Sequence, residues 1–248
     1  MDKTLNGKVA VVTGAGGTMG RAVVDALVAQ GCRVAMVDVQ AAAMEPAFAR
    51  HGAQVGVQVC DIRSLAEVQQ THQAIVQAWG PVDILVNNAG VLSNHKVEAT
   101  TESEWRGVLA VNLDGALFWS QCVTPAMKAR RWGRIINTGS LASKTGGLTA
   151  GTAYSVSKGA ISALTFSLAR ELAAFGVTAN AIAPAYVRTP MVTEQLSEAQ
   201  RQVLLQQIPV GRFCEPEEFA HVVTFLASPL SGFITGEIID LNGGLHMD

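Results

Sequence analysis

Between Lys8 and Gly20 the chain reads Lys-Val-Ala-Val-Val-Thr-Gly-Ala-Gly-Gly-Thr-Met-Gly. Lys8–Thr13 is a short apolar, β-branched run of the kind that fills a buried strand. Gly14, Gly16, Gly17 and Gly20 follow at once, and Met19–Gln30 then carries helical periodicity until Gly31 stops it. A strand, a glycine-rich turn and a helix in that order let backbone approach a pyrophosphate, whose charge the helix N-terminus stabilises. Arg33–Asp38 is a second apolar run, and Asp38 ends it. A carboxylate there can accept hydrogen bonds from the hydroxyls of an adenine ribose.

The same alternation continues outward. Further strands are expected at Gln54–Cys60, Asp83–Asn87, Arg134–Thr138, Val177–Ala183 and Glu237–Leu241. Helical segments lie between them at Ala41–Arg50, Ser64–Trp79, Thr101–Lys128, Ala153–Phe175, Thr189–Gln207 and Glu215–Ala227. Ser64 with Glu67, and Thr101 with Glu104, have the spacing of capping boxes. Strands separated by helices throughout predict an α/β fold with a doubly wound parallel sheet, helices on both faces, and a ligand site at the carboxyl ends of the strands. No linker or repeat divides the chain, so residues 1–248 are expected to form a single domain, with the polar segment 189–210 as a substrate lid.

Composition excludes several other classes. The 248 residues are 49% hydrophobic and only 15% charged, with net charge −2, so the chain is neither disordered nor a basic nucleic-acid binder. Cys32, Cys60, Cys122 and Cys214 form no CxxC pair, and the five histidines form no metal pattern. Met1–Lys8 has no apolar signal core, and no run of about 18 apolar residues could span a membrane. The expected location is the cytoplasm.

Tyr154 and Lys158 are four residues apart in an expected helix, which puts both side chains on one face. A nearby ammonium favours the phenolate, so Lys158 is expected to lower the pKa of Tyr154 and fit it for acid–base work. Ser140 follows the expected strand Arg134–Thr138, at a carboxyl end of the sheet, where its hydroxyl can bond a substrate oxygen that changes charge. No Gly-x-Ser-x-Gly elbow surrounds it, which weakens a nucleophile reading. Asn112 falls mid-helix, where asparagine is disfavoured.

These residues stand in five ordered motifs: TGAGGTMG from Thr13, NNAG from Asn87, Asn112 in NLDG, Ser140 in NTGSLAS, and YSVSK from Tyr154. With the later segment Pro184–Thr189 they cover nearly the whole chain and resemble the short-chain dehydrogenase/reductase family. The resemblance implies a seven-stranded Rossmann-type sheet, a nicotinamide cofactor and a homotetramer. It implies cofactor contacts from Gly14, Gly17, Thr18, Met19 and Gly20 in the first turn, and from Asn88, Ala89 and Gly90 in NNAG. Asp61 and Ile62 are implied at the adenine, Lys158 at the nicotinamide ribose beside Tyr154, and Pro184, Val187 and Thr189 at the nicotinamide. Asn112 is implied to bend its helix and to help hold a relay water near the lysine. Two positions depart from the family: Thr18 and Ala185 stand where most members have glycine.

The expected activity is hydride transfer between NAD and a small secondary alcohol, such as a polyol, sugar, hydroxy acid or cyclic alcohol. Tyr154 would be the general acid or base, with His95, Leu148, Tyr186, Met191 and Ser140 at the substrate. An NADPH-dependent 3-ketoacyl thioester reductase is the alternative. It wants a basic residue near the adenine ribose, and Val39, Gln40 and Ala41 supply none. A non-catalytic dinucleotide sensor is the third reading. It would be expected to lose some of Ser140, Tyr154 and Lys158, and all three are present.

Overall fold

Alternate residues of the first strand face two different cores. Ala10 and Val12 pack in one apolar cluster, and Val9 and Val11 in another. A strand buried on both faces is the mark of an inner strand in a helix-covered parallel sheet. The computed structural model describes residues 4–190 and 198–247. In chain order its elements are β1 (Val9–Thr13), α1 (Thr18–Ala29), β2 (Arg33–Asp38), α2 (Ala41–His51), β3 (Val55–Val59), α3 (Leu65–Trp79), β4 (Ile84–Asn87) and α4 (Glu102–Leu109). Then come α5 (Gly115–Arg130), β5 (Gly133–Thr138), α6 (Ala142–Thr145), α7 (Thr152–Leu172), β6 (Val177–Pro184), α8 (Glu198–Gln207), α9 (Pro216–Ala227) and β7 (Ile238–Leu241).

The seven strands are all parallel, in the order β3-β2-β1-β4-β5-β6-β7. On one face Val24 and Leu27 of α1, Met44 of α2 and Phe219 of α9 close the core. On the other, Val68 of α3, Trp119 and Val123 of α5, and Leu168 and Leu172 of α7 do so. The strand order reverses direction between β1 and β4, which opens a crevice at their carboxyl ends. Among the described residues, no helix is long and apolar enough to cross a membrane.

Three local expectations are corrected. The segment expected as one helix, Thr101–Lys128, is two helices joined by a π turn at Ala110–Asp114. The extra residue of that turn carries Asn112 into the interior, where its Nδ2 donates to the Val91 carbonyl and Ser157 Oγ, both at 3.0 Å. An asparagine side chain competes for backbone partners in this way, and periodicity alone does not show it. The two capping boxes are only half formed. Ser64 and Thr101 each accept the expected backbone N–H, from Glu67 and Glu104. The carboxylate of Glu67 bonds the Asp61 N–H instead, and that of Glu104 turns to Ser93 and His95. In the segment 189–210, residues 191–197 lie outside the described residues, Met191 among them.

Candidate active site

The crevice holds a cleft of about 450 Å³. Its floor is the first βα turn. Gly14 has φ +64°, a left-handed conformation that favours glycine, and a Cβ there would press on Ala89 Cα at 2.8 Å. At Gly20 a Cβ would fall on the Gly14 carbonyl oxygen, so α1 can start this close to the turn only with glycine there. The NNAG segment is stapled to that turn. Thr13 Oγ1 accepts from the Asn88 and Ala89 N–H groups at 3.1 Å, and Asn88 Nδ2 donates to the Thr13 and Gly14 carbonyls at 3.0 and 3.2 Å.

Asp38 reaches the cleft from the end of β2. Its Oδ2 accepts the Gly16 N–H at 3.0 Å and its Oδ1 the Gln40 N–H at 3.1 Å, so the carboxylate is held in place by backbone. Gly17, Thr18, Met19, Gly90, Pro184, Val187 and Thr189 also line the cleft, with Tyr154 and Lys158. Thr18 is the first residue of α1, and Gly17 caps that helix. The Gly-rich turn, the helix start and the Asp38 carboxylate therefore fit a dinucleotide with a ribose at one end and a pyrophosphate at the helix N-terminus.

At the other end stand Tyr154 and Lys158. The buried Lys158 donates from Nζ to the Thr138 carbonyl at 2.8 Å, and lies 5.7 Å from the centroid of the Tyr154 ring. Burial pushes its pKa down to about 8. Tyr154 moves the other way from expectation. Burial raises its pKa, and a hydrogen bond with Ser140 only partly opposes that. The phenol therefore keeps its proton at neutral pH. Ser140 is itself oriented by the Ala142 N–H, which donates to its Oγ at 3.1 Å.

Other expected site residues sit farther off. Ser140 is buried outside the cleft lining but hydrogen-bonds Tyr154, which does line it. Asn112 is buried behind the cleft wall and accepts the Val91 N–H at 2.8 Å, which ties the loop after NNAG to α7 through Ser157. Ile62 is buried, with its side chain against Gly115 of α5. Asp61 receives Arg63 Nε at 2.9 Å from both carboxylate oxygens, which lowers its pKa. His95 is exposed and paired with Glu104 at 2.7 Å, and Leu148 is exposed. Tyr186 packs against Phe213 and lines a second, smaller cavity with Arg212 and Cys214.

The cleft also includes Arg21, Val91, Thr138 and Pro190, which the sequence reading passed over. Arg21 had a visible signal, a cation in the first turn of the helix after a phosphate-type loop. Thr138 had a weaker one, its place as the last residue of an expected strand, at the carboxyl end where the ligand site was expected.

Comparisons with known proteins agree with this geometry. A family model described as enoyl-(acyl carrier protein) reductase matches residues 14–246. A 3-oxoacyl-(acyl-carrier-protein) reductase of Vibrio harveyi is 38% identical over 246 residues, 98% of this chain and 99% of that protein. One from Thermotoga maritima is 34% identical over 244 residues, 97% and 98% of the two chains. A galactitol 2-dehydrogenase (L-tagatose-forming) of Cereibacter sphaeroides is 38% identical over 242 residues, 97% and 95%. The recurrence of the 3-oxoacyl reductases among these relatives overturns the expectation of an NAD-dependent dehydrogenase of secondary alcohols or polyols. Substrate preference was beyond the sequence reading because the shared motifs encode hydride and proton transfer, and these do not differ between the two activities. The chain is an oxidoreductase that uses a nicotinamide cofactor and belongs to the short-chain dehydrogenase/reductase family.

Proposed function

We propose that the protein reduces the keto group of a 3-oxoacyl thioester to the 3-hydroxyacyl thioester, with NADH as its favoured reductant. The observation that carries the substrate class is the match over nearly full length to several 3-oxoacyl reductases. When bound, the nicotinamide supplies the hydride, which goes to C3 of the substrate. The protein handles the proton and the charge. Tyr154, kept protonated by burial, donates its proton to the keto oxygen as that oxygen becomes an alkoxide. Ser140, with its Oγ fixed by the Ala142 N–H, keeps its own proton free to donate to the same oxygen. Lys158, held by the Thr138 carbonyl, places a positive charge beside the phenolate that forms. Asn112 acts through others, by tying Val91 to Ser157, the residue before the lysine.

The cofactor preference rests on Asp38. A 2′-phosphate in place of a ribose hydroxyl would carry roughly −1.5 to −2 charge by analogy with other phosphate monoesters. Two unit charges ~4 Å apart repel by about 4 kcal/mol at an effective dielectric of ~20, and a third of that corresponds to about tenfold. Backbone bonds from Gly16 and Gln40 prevent the carboxylate from simply swinging away. Arg21 supplies a positive charge from the first turn of α1, on the pyrophosphate side of the cleft.

The test is a spectrophotometric assay with acetoacetyl-coenzyme A. Turnover is expected, with kcat/KM at least ~10-fold higher for NADH than for NADPH. Asp38→Ser with Val39→Arg should narrow or reverse that ratio, since Val39 is exposed beside Asp38. No reduction of the thioester would overturn the substrate class. Equal kcat/KM with the two reductants would overturn the role of Asp38.

We further propose a homotetramer of closed symmetry. Support comes from large apolar side chains left in solvent: Phe166 on α7, Phe225 on α9, and Leu230 and Phe233 beyond it, the last two 96% and 102% exposed. Light scattering at micromolar concentration should give about four times the chain mass of 26.0 kDa, and a stable monomer would contradict the assembly.

A further inference from the structure

Glu104 has the spacing to close a capping box with Thr101, yet its carboxylate leaves its own helix. It accepts from Ser93 Oγ and, at 2.7 Å, from His95 Nδ1. These bonds hold its carboxyl below the usual carboxylate range, so it is ionised at neutral pH. A box would have satisfied the Thr101 N–H, so the choice of distant partners calls for a cause.

That cause lies on the far side of the loop that Glu104 holds. The N-cap of α7 is Gly151, which has no side chain to close the helix end. The loop takes the first amides instead. Gly151 N–H donates to the Ser93 carbonyl at 2.6 Å, and Thr152 N–H to the His95 carbonyl at 3.0 Å. The two residues whose side chains bind Glu104 thus cap α7 with their backbone. Glycine is needed for the approach, since a Cβ on Gly151 would fall 2.5 Å from the His95 carbonyl oxygen. Lys96 completes the joint, its Nζ donating to the Gly147 and Ala150 carbonyls at 2.8 and 2.7 Å. The segment so held begins with Gly146 and Gly147 at φ +75° and +79°, and brings little stiffness of its own. Tyr154 is the third residue of α7, in the turn that this joint fixes.

We propose that Glu104 is a positioning residue: through Ser93 and His95 it holds the first turn of α7, and so sets where Tyr154 presents its hydroxyl to the substrate oxygen. Lys96 supports the same turn from the Ala150 side. This rests on Tyr154 as the proton donor, and not on which carbonyl compound is reduced. Proton transfer is sensitive to placement, so a helix start fastened by a second loop serves the reaction as well as the fold.

Two readouts on Glu104→Ala separate this role from a general contribution to stability. The chain has two tyrosines, Tyr154 and Tyr186, so an alkaline titration of tyrosinate absorbance follows both, and Tyr154→Phe identifies the Tyr154 step. Burial is the main cause that raises the Tyr154 pKa, while Ser140 and Lys158, the polar groups beside it, stay in place. Once its first turn is freed, the ring gains water, and the Tyr154 step should move to lower pH. The second readout is kcat with acetoacetyl-coenzyme A. Glu104→Ala should lower it about 10- to 100-fold, the effect of misplacing a reacting group by about 1 Å. In the Tyr154→Phe background the same change should cost less than about 2-fold, because the group being positioned is gone. Lys96→Met should act in the same direction on both readouts, and serves if Glu104→Ala does not fold. An unmoved Tyr154 step would overturn the proposal. So would equal losses of kcat with and without Tyr154→Phe. Near-normal kcat in Tyr154→Phe alone would overturn the proton donor, and the proposal with it. If the original chain leaves acetoacetyl-coenzyme A unreduced, the substrate class falls, and the tyrosinate titration alone decides the role of Glu104.

Discussion

Tyr154→Phe should lower kcat for thioester reduction by about 10²–10⁴-fold, the usual worth of a positioned general acid. Phenylalanine keeps the half-buried ring and removes only the group that hands over a proton. The NADH affinity should persist, because Asp38, the glycine turn and Lys158 are untouched. Burial of Tyr154 gives the result a direction in pH. Its raised pKa keeps the phenol protonated, so reduction by the original chain should hold through neutral pH and decline in alkaline solution, first as Lys158, with a pKa of about 8, loses the charge that stabilises the forming phenolate. The small residual rate of Tyr154→Phe should lack that alkaline decline. A variant with near-normal kcat would remove Tyr154 from the mechanism.

Lys158→Met should cost about 10²-fold or more in kcat and, at the same time, stabilise the protein. Lys158 is 3% exposed, and the bond it makes is to a single neutral carbonyl. Its pKa, pushed down to about 8, lies some two and a half units below the ordinary lysine value of ~10.4. At 1.36 kcal/mol per unit, burying the ammonium costs on the order of 3 kcal/mol at neutral pH. Methionine of similar length escapes that cost but gives up one hydrogen bond, so a net gain of about 1–3 kcal/mol is expected, or several degrees in Tm. The sign with pH follows from proton counting. Between pH 8 and about 10.4 the unfolded chain holds the lysine proton and the folded chain releases it, so the original chain gains stability as pH rises. The advantage of Lys158→Met should therefore be full below pH 8 and shrink above it. Differential scanning calorimetry of both proteins across pH 7–10 measures this. A less stable Lys158→Met at pH 7 would show that the lysine is part of the core's support.

How legible the site was depended on how local each requirement is. The glycine turn could be read because Gly14 takes a left-handed φ and Gly20 answers to the backbone of Gly14 and Ala15, although Asn88 and Ala89, which crowd Gly14, come from a distant loop. Tyr154 and Lys158 could be paired because a helix brings i and i+4 together whatever the rest of the chain does. Their electrostatics could not be read. Spacing suggested an ammonium that lowers the phenol's pKa, whereas burial dominates both groups and moves them in opposite directions, Tyr154 up and Lys158 down. Burial depends on what covers the pair, and those residues come from β5 and the NNAG loop. Glu104 shows the same limit. Its spacing from Thr101 suggested a cap, but its carboxylate is drawn to Ser93 and His95, eleven and nine residues upstream.

The order of strands and helices, the phosphate-type turn, the carboxylate after β2 and the identity of the proton donor were determined by the sequence itself. Each is a matter of period, of a backbone conformation that only glycine takes easily, or of chemistry carried by one side chain. The tertiary structure alone decided where the π turn aims Asn112, and that Ile62 packs against α5 and Tyr186 lines the second cavity. Those outcomes turn on which distant segments compete for the same space and the same hydrogen bonds. That competition is resolved only when both faces of the sheet are packed.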